Sequence, residues 1–596
     1  MHKNLSRQKT FYAFLFIISG ILLSFRAQYG FFFNDEPFII SLAHRLYYGA
    51  DLIVDEWNTT QNFGTLLLPF YKLYVALTGS TEGIILTFRV IYCIMWTGTC
   101  SAIYYILKQK YSGAIVVFFY LLLFSPLDQM TLSYTSVSLS SCLLIAGLYF
   151  YHLEVKPIRF FRFTCFYTIL SVIAVLALPY LAMIYILNLL VIIVIHLVKR
   201  TETTRFLMKT SLLSCIIAAL TAVLYLYRFI LKGNSLDIIL QNLWCILSAD
   251  TIASTTFVFN VVSYCWAVLE TYFSYTLLIG MSFILLLFPI IKNYPERKMV
   301  LFIIDVIAFL AEIVKMVVRC HEPAFNLQMM PIVFLGMIAF FMLDNKRKHL
   351  ATFIIFIIYG VLYSFAFYYA SDTGIMAIAM GLVLCGVASI VFIAELGNQW
   401  KPYFSSAVSA AETAITMHGK ECSSRIVALI IAFVFCAQLG LQVLLKVERH
   451  YWDSPVYQMN SIISEGAGKG VRTTERHKSA HEKVEKSLHQ LLTNVNMQNT
   501  HDIRFLSMVS SPVIYLNADL PAGVFSTWTF MEDDILLERL NLYYSVNHQQ
   551  QPNVIFFSNG DTLVCGLDID LSDYCCFSDD QYSILIAPDL VNTQNP

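Results

Sequence analysis

The sequence predicts a polytopic α-helical membrane protein of about 13 transmembrane helices with a small C-terminal α/β domain outside the membrane. Its 596 residues are 58% hydrophobic and only 13% charged, with a mean hydropathy of +0.65. Soluble domains carry about 25% charged residues, so this composition excludes an ordinary cytosolic enzyme. The net charge of −1 gives no basic excess, and we therefore expect no nucleic-acid partner.

Apolar runs of about 20 residues define the predicted spans. The first run follows Lys3, Arg7 and Lys9 and lacks an Ala-x-Ala cleavage site, so we interpret it as an uncleaved span. The predicted spans cover residues 11–29, 83–107, 113–130, 132–151, 163–180, 181–198, 211–230, 274–291, 299–318, 324–343, 350–370, 375–395 and 425–444.

The positions of lysine and arginine predict the orientation, because cytoplasmic loops are rich in both. With the N-terminus inside, all of the clusters fall on the cytoplasmic side. These clusters are Lys108/Lys110, Lys156/Arg159/Arg162, Lys199/Arg200/Arg205/Lys209, Lys292/Arg297/Lys298, Lys346/Arg347/Lys348 and Lys401/Lys420/Arg425. An odd number of spans then divides the chain into a transmembrane domain, residues 1–445, and an extracytoplasmic domain, residues 446–596.

Two long segments, about 30–82 and 231–273, are predicted on the outer side. Residues 63–78 within the first are apolar, but counting them as a span would invert every later lysine and arginine cluster. This run also contains Pro69 and Lys72, and we interpret it as an interfacial or re-entrant helix.

The tail after about residue 446 is polar and predicts helices and short strands. A charged helix is expected from Thr474 to Leu492. Alternating apolar runs follow as IRFLSMV, PVIYL, PNVIFF and YSILIA, a pattern typical of short strands.

The densest group of polar residues near the membrane begins the first outer segment. Asn34 or Asp35 suits a helix start, Pro37 suits its first turn, and Gly49 suits its end. We expect this helix to lie flat on the membrane. Asp35 and Glu36 have two interpretations: they stabilise the helix N-terminus, or one of them is a general base beside an apolar cavity.

Several short motifs resemble one enzyme superfamily. They are DExFxxxLAxRLxxG at 35–49, Asp51, LTGSTEGIILTFR at 77–89, Ser125-Pro126-Leu127-Asp128, and Arg319-Cys320-His321-Glu322-Pro323. This arrangement resembles the GT-C superfamily of membrane glycosyltransferases, and most of all the protein O-mannosyltransferases and the lipid A aminoarabinose transferases. The resemblance implies a GT-C-like fold, a catalytic carboxylate at the start of the first outer loop, and an outer C-terminal domain.

The resemblance also implies a reaction, in which a sugar moves with inversion from a polyprenyl-phosphate donor to a lipid, glycan or protein acceptor outside the cytoplasm. Asp35 or Glu36 would then be the base, and cations would stabilise the leaving phosphate. The candidate substrate or phosphate contacts are Arg319 and His321 first, then Lys72, Arg89, Asp128 and Arg45.

Each candidate also has a structural interpretation. Arg319 is at a position typical of a residue that anchors the end of a span at the lipid headgroups. Lys72 is typical of a lysine that extends its ammonium group to the membrane surface, and Asp128 of a residue that ends a helix. Arg89 lies two turns inside a span and needs an internal partner, for which we consider Glu82 or Asp35. Asp128 is the single acidic residue of the second outer loop, where metal-using relatives have a pair, so we predict no metal cofactor.

Two alternatives remain from the sequence. A transporter or flippase would use Asp305, Glu312 and Lys315, which share one predicted span. Glu312 and Lys315 are spaced i, i+3 and would also pair with each other. A non-catalytic relative that uses its outer domain for binding is the second alternative.

Overall fold

The fold is a large assembly of helices followed by a segment that also contains two small sheets. The computed structural model describes residues 2–32, 34–232, 235–249, 257–271, 273–320, 329–369, 375–411, 418–448 and 451–592. Within these ranges the first helices are α1 His2–Arg26, α2 Asp35–Tyr47, α3 Phe63–Thr78, α4 Ile84–Leu107, α5 Ala114–Leu123, α6 Tyr134–Phe150, α7 Phe160–Ala177, α8 Leu181–Lys199, α9 Glu202–Leu231 and α10 Leu236–Ala249. They continue as α11 Phe257–Thr271, α12 Phe273–Leu287, α13 Pro289–Lys292, α14 Pro295–Val318, α15 Met330–Met342, α16 Leu350–Thr352, α17 Tyr359–Tyr369, α18 Ile375–Ala411 and α19 His418–Glu448.

Eight of the described helices are long and apolar enough to cross a membrane, or nine if a bent pair at residues 260–287 forms one span. These eight coincide with eight of the predicted spans. The other predicted spans correspond to shorter apolar helices (11–29, 113–130 and 324–343), to the bent pair (274–291) and to the charged α14 (299–318). The multi-pass helical architecture is therefore present, whereas the count of thirteen stays a prediction.

Among the eight long apolar helices, α18 is the most deeply buried, and it packs against α15, α17 and α19. Small residues allow the close approach of α15 and α18. A Cβ atom at Gly336 would lie 2.1 Å from the Cβ of Ser389, so the two backbones nearly touch here. Small residues have this role in membrane helix packing, where the hydrophobic effect does not drive helices together.

The segment after α19, residues 451–592, is called the C-terminal segment below. Its elements are β1 Ser461–Ile462, β2 Arg472–Thr473, α20 Glu475–Leu492, β3 Phe505–Ser507, α21 Val513–Ala518, α22 Asp533–Val546, β4 Val554–Ser558, β5 Cys575–Ser578 and β6 Tyr582–Ile586. Strands β1 and β2 pair antiparallel, and the second sheet has the order β3-β4-β6-β5, in which β3 and β4 are parallel. The sheet-and-helix composition expected from the sequence is present.

The charged helix and three of the four apolar runs form the expected elements, the runs IRFLSMV, PNVIFF and YSILIA overlapping β3, β4 and β6, and one expectation was wrong. The charged helix is present as α20, and the Thr474 hydroxyl caps it by accepting the His477 N–H at 3.3 Å. The run PVIYL is not a strand but forms α21. Pro512 precedes this helix with a φ of −59°, which suits a helix start, and both sides of the short helix are buried, so its apolar run carries no period of two.

Candidate functional site

Helix α2 carries the predicted catalytic carboxylates and lies inside the protein. Residues 36–45 are all buried, because α2 packs against α3 on one side and against α21 on another. The structure thus differs from the expected helix that lies flat on the membrane, because the C-terminal segment covers a face that such a helix would leave exposed. Asn34 precedes the helix, but its side chain makes no capping hydrogen bond.

Glu36 forms a buried ion pair with Arg89 of α4. The Nε and Nη2 atoms of Arg89 donate to the two carboxylate oxygens at 2.8 and 2.5 Å, and both side chains are fully buried. Arg89 Nη1 also donates to the carbonyl oxygens of Ala27 and Gly30, each at 2.8 Å. The expected partners of Arg89, Glu82 and Asp35, were wrong choices. The pair instead joins α4 to the start of α2 and to the residues that follow α1.

Asp35 is only partly buried and lies beside the turn of residues 125–130, called the connecting turn below. The side-chain amide of Gln129 donates to Asp35 Oδ2 at 3.0 Å. Leu127 and Asp128 have φ values of 49° and 56°, the left-handed region that is rare for non-glycine residues. Such backbone conformations cost of order 1–3 kcal/mol each and persist where surrounding contacts impose them.

Those contacts come from the residues that follow α19. Tyr451 N donates to the Asp128 carbonyl at 2.9 Å, and the Tyr451 hydroxyl donates to the Met130 carbonyl at 3.0 Å. The Trp452 indole donates to the Leu127 carbonyl at 3.3 Å, and the Tyr451 ring stacks 3.7 Å from the Arg89 guanidinium. Asp35, Glu36, Arg89 and Asp128, four of the predicted site residues, therefore belong to one cluster.

Two cations of this cluster were not among the sequence candidates. Lys446 of α19 is buried, and its Nζ donates to Ser125 Oγ and lies 3.6 Å from Met130 Sδ. In the described part of the chain, no carboxylate oxygen lies within 4 Å of this ammonium group. Arg26 Nε donates to the Lys446 carbonyl at 2.6 Å, and its Nη2 is buried without a hydrogen-bond partner in the same described part.

A sequence signal for Lys446 exists, because an ionisable residue at the end of an apolar helix is a functional candidate by default. It was overlooked because the predicted last span ended at residue 444, so that Lys446 counted as part of the polar tail. The described apolar helix instead continues to Glu448.

Arg45 lies at the opposite end of α2 and forms hydrogen bonds outside this cluster. Its Nη1 donates to Glu56 at 2.9 Å, and its Nη2 donates to the Val524 carbonyl at 2.5 Å in the C-terminal segment. Burial raises the pKa of Glu56, an effect that the neighbouring guanidinium opposes. Arg45 thus joins α2 to the C-terminal segment, more than two helical turns from Asp35.

Helix α2 contributes a second buried contact through His44. Its Nε2 donates to the Leu520 carbonyl at 3.0 Å, and its Nδ1 accepts from the Tyr71 hydroxyl at 2.7 Å. Burial lowers the pKa of His44, an effect that Asp519 opposes. The neutral imidazole satisfies both contacts, so this residue joins α2 to α3 and to the C-terminal segment in its uncharged form.

The remaining cationic candidates are not seen in the cluster. Lys72 is exposed on α3, and Arg319 is exposed directly after α14. His321 lies outside the described residues. The polar groups proposed for a transporter are paired: Ser282 donates to Asp305 at 2.7 Å, and Lys315 lies 3.3 Å from Glu312.

The whole chain is similar to two solved structures of one protein. These are crystal structures of ArnT from Cupriavidus metallidurans, one in the apo state and one bound to undecaprenyl phosphate. Their sequences are 10% and 9% identical to this one, and the TM-scores are 0.48 and 0.45. Each match covers 97% of this chain and 98% of the ArnT chain. No family model and no curated protein matches the chain.

Proposed function

We propose that this protein is a glycosyltransferase that moves a sugar from a polyprenyl-phosphate donor to a hydroxyl acceptor on the extracytoplasmic side, with inversion at the anomeric carbon. One observation carries the proposal. The connecting turn contacts a partly exposed carboxylate through Gln129 and a buried ammonium group through Ser125 and Met130. That both groups contact the same short turn supports their proposed roles as base and cation.

Asp35 is the better base of the two adjacent carboxylates. Both oxygens of Glu36 are occupied by Arg89 inside the protein, so this residue has no free oxygen for an acceptor proton. Asp35 is partly exposed, and Gln129 contacts it as a neutral donor. A neutral donor orients the carboxylate and keeps it basic, whereas an arginine would stabilise its charged form much more strongly.

Lys446 and Arg26 are suited to the leaving phosphate. Two neighbouring cations in an apolar environment repel each other and are costly to desolvate, and an anion between them removes both costs. In the reaction, the acceptor oxygen forms a bond to the anomeric carbon and gives its proton to Asp35. The bond from the anomeric carbon to the phosphate oxygen breaks, and the phosphate leaves with the electron pair.

The other predicted phosphate contacts have a smaller part in this proposal. Arg89 positions Glu36 and Tyr451, and Arg45 joins α2 to the C-terminal segment. Arg319 and His321 follow α14, which packs against α19, so a contact of these residues with a long lipid donor stays a prediction. We propose no role for a metal ion.

The test uses the purified full-length protein in detergent with a panel of polyprenyl-phosphate monosaccharides and measures the polyprenyl phosphate released. Asp35→Asn should lower release by about 10²- to 10⁴-fold, the usual contribution of a general base. Lys446→Met should lower both the release rate and the affinity for free polyprenyl phosphate. Lys72→Met, which removes an exposed lysine, is the matched control and should retain activity.

Full activity of Asp35→Asn would overturn the assignment of the base. Unchanged polyprenyl-phosphate binding by Lys446→Met would overturn the assignment of the cation. If the wild-type protein released no polyprenyl phosphate from any member of the panel, the proposed reaction itself would be wrong.

A further inference from the structure

A cleft of about 300 Å³ lies in the C-terminal segment, between α20 and α21. Its walls are mostly apolar and include Val484, Leu488, Val513 and Ile514. Clefts of this size and lining are typical of small-molecule sites, where a few polar groups decide the orientation of a ligand. One charged group, Glu485, lines this cleft.

Glu485 is a buried carboxylate with unusual surroundings. Its side chain is 1% exposed, and among the described residues its close polar contacts are two histidine rings rather than an arginine, a lysine or a backbone N–H. The Nε2 atoms of His481 and His489, one turn before and one turn after it on α20, lie 3.5 and 3.7 Å away. An ionised carboxylate without hydrogen bonds is costly to bury.

Other buried carboxylates of this chain have strong partners. Glu36 and Glu56 each pair with an arginine. Asp453 accepts the N–H of Phe31 and the hydroxyl of Thr473 at 2.8 and 2.7 Å. These three carboxylates accept hydrogen bonds of normal length or shorter, whereas the close contacts of Glu485 are two histidine rings at 3.5 and 3.7 Å.

The backbone at Gly466 passes beside the Glu485 carboxylate. A Cβ atom at Gly466 would lie 2.1 Å from Glu485 Oε1, so the chain passes directly against the carboxylate. Gly466 also has a φ of +70°, which favours glycine. The side-chain oxygen of Asn517, another residue of the cleft, accepts the Ala467 N–H at 2.9 Å and fixes this passage.

We propose that the cleft binds a small organic cation, a primary ammonium group carried on a compact apolar body. The apolar body fills the space between α20 and α21, and a rotation of the Glu485 side chain brings its carboxylate to the ammonium. The two lysines nearest in sequence, Lys483 and Lys486, are exposed on α20 and leave the cleft free for such a ligand. This site is separate from the proposed transferase site and does not depend on it.

The probe pair is cyclohexylammonium and cyclohexanol, which share a ring and differ in charge. Binding to the full-length protein in detergent is measured by calorimetry at pH 7.5. We expect the wild-type protein to prefer the ammonium compound. Glu485→Gln should weaken its binding by about tenfold or more, since a hydrogen bond to a charged group is lost. Cyclohexanol binding should be unchanged.

Two further variants separate a ligand site from a structural interaction between histidine and glutamate. Glu538→Gln makes the same chemical change on the exposed side of α22 and should leave binding unchanged. His489→Asn removes a group that competes for the carboxylate and should preserve or increase the affinity for cyclohexylammonium. Equal affinity of the wild-type protein for the two probes, or unchanged ammonium binding by a folded Glu485→Gln variant, would overturn the proposal.

Discussion

Replacing Glu36 by glutamine removes the charge that neutralises Arg89 in the interior of the protein. The guanidinium would keep the carbonyl oxygens of Ala27 and Gly30 and the Tyr451 ring, but it would lose two charge-assisted hydrogen bonds. Removing one partner of a buried ion pair costs about 3–5 kcal/mol because the other charge remains desolvated. The glutamine oxygen still accepts one N–H, so we expect a loss near the lower end, about 3 kcal/mol.

The assay is equilibrium unfolding in mixed micelles of a non-ionic detergent and sodium dodecyl sulfate, followed by tryptophan fluorescence. A double-mutant cycle with Arg89→Met should show a coupling free energy of about 2–3 kcal/mol, because the second substitution removes the isolated charge. Glu312→Gln is the matched control, since Lys315, its partner at i+3, is 47% exposed. Such a pair contributes about 0.3–0.5 kcal/mol.

A loss below about 1 kcal/mol for Glu36→Gln would refute this reasoning. Additive effects of Glu36→Gln and Arg89→Met would refute it as well, because additivity is the behaviour of residues that do not contact each other. Either result would leave Glu36 available as a second candidate for the base.

Three other expectations concern pH, packing and orientation. Because burial lowers the pKa of His44, the unfolded chain takes up a proton near pH 6.5 and the folded chain does not, so stability should fall as the pH drops through this value. The melting temperature of the wild type should therefore fall more between pH 7.5 and 5.5 than that of His44→Gln, and equal falls would contradict the argument. Gly336→Ala should destabilise the protein by about 1–3 kcal/mol through overpacking, whereas Gly440→Ala, with open space around it, should not. A membrane-impermeant maleimide should label the exposed Cys575 and Cys576 in intact cells, and labelling only after permeabilisation would contradict an extracytoplasmic C-terminal segment.

Composition and hydropathy were sufficient to predict the helical membrane architecture, because a span needs a continuous apolar run that is visible in any local window. Helix α20 was predictable for a similar reason, since its cap and its periodicity are local. The run PVIYL shows the limit of local patterns. A short apolar stretch of this kind is compatible with a strand or with a buried helix, and in the folded protein it forms the buried helix α21.

The sequence was sufficient to select several residues of the candidate site but not to assign the contacts between them. Asp35, Glu36, Arg89 and Asp128 could each be selected, because charged residues at membrane depth are rare. Their partners could not be assigned, because the contacts join distant parts of the chain. Arg89 contacts Glu36 across 53 positions, and Gln129 contacts Asp35 across 94.

The sequence by itself determined the class of this protein, the approximate positions of its spans and the acidic pair that begins α2. Only the tertiary structure decided that Glu36 is paired inside the protein while Asp35 stays partly exposed. It also brought Arg26 beside Lys446, 420 residues further along the chain. The physical reason is that hydropathy is a property of each segment, whereas the cost of a buried charge depends on which atoms surround it after folding.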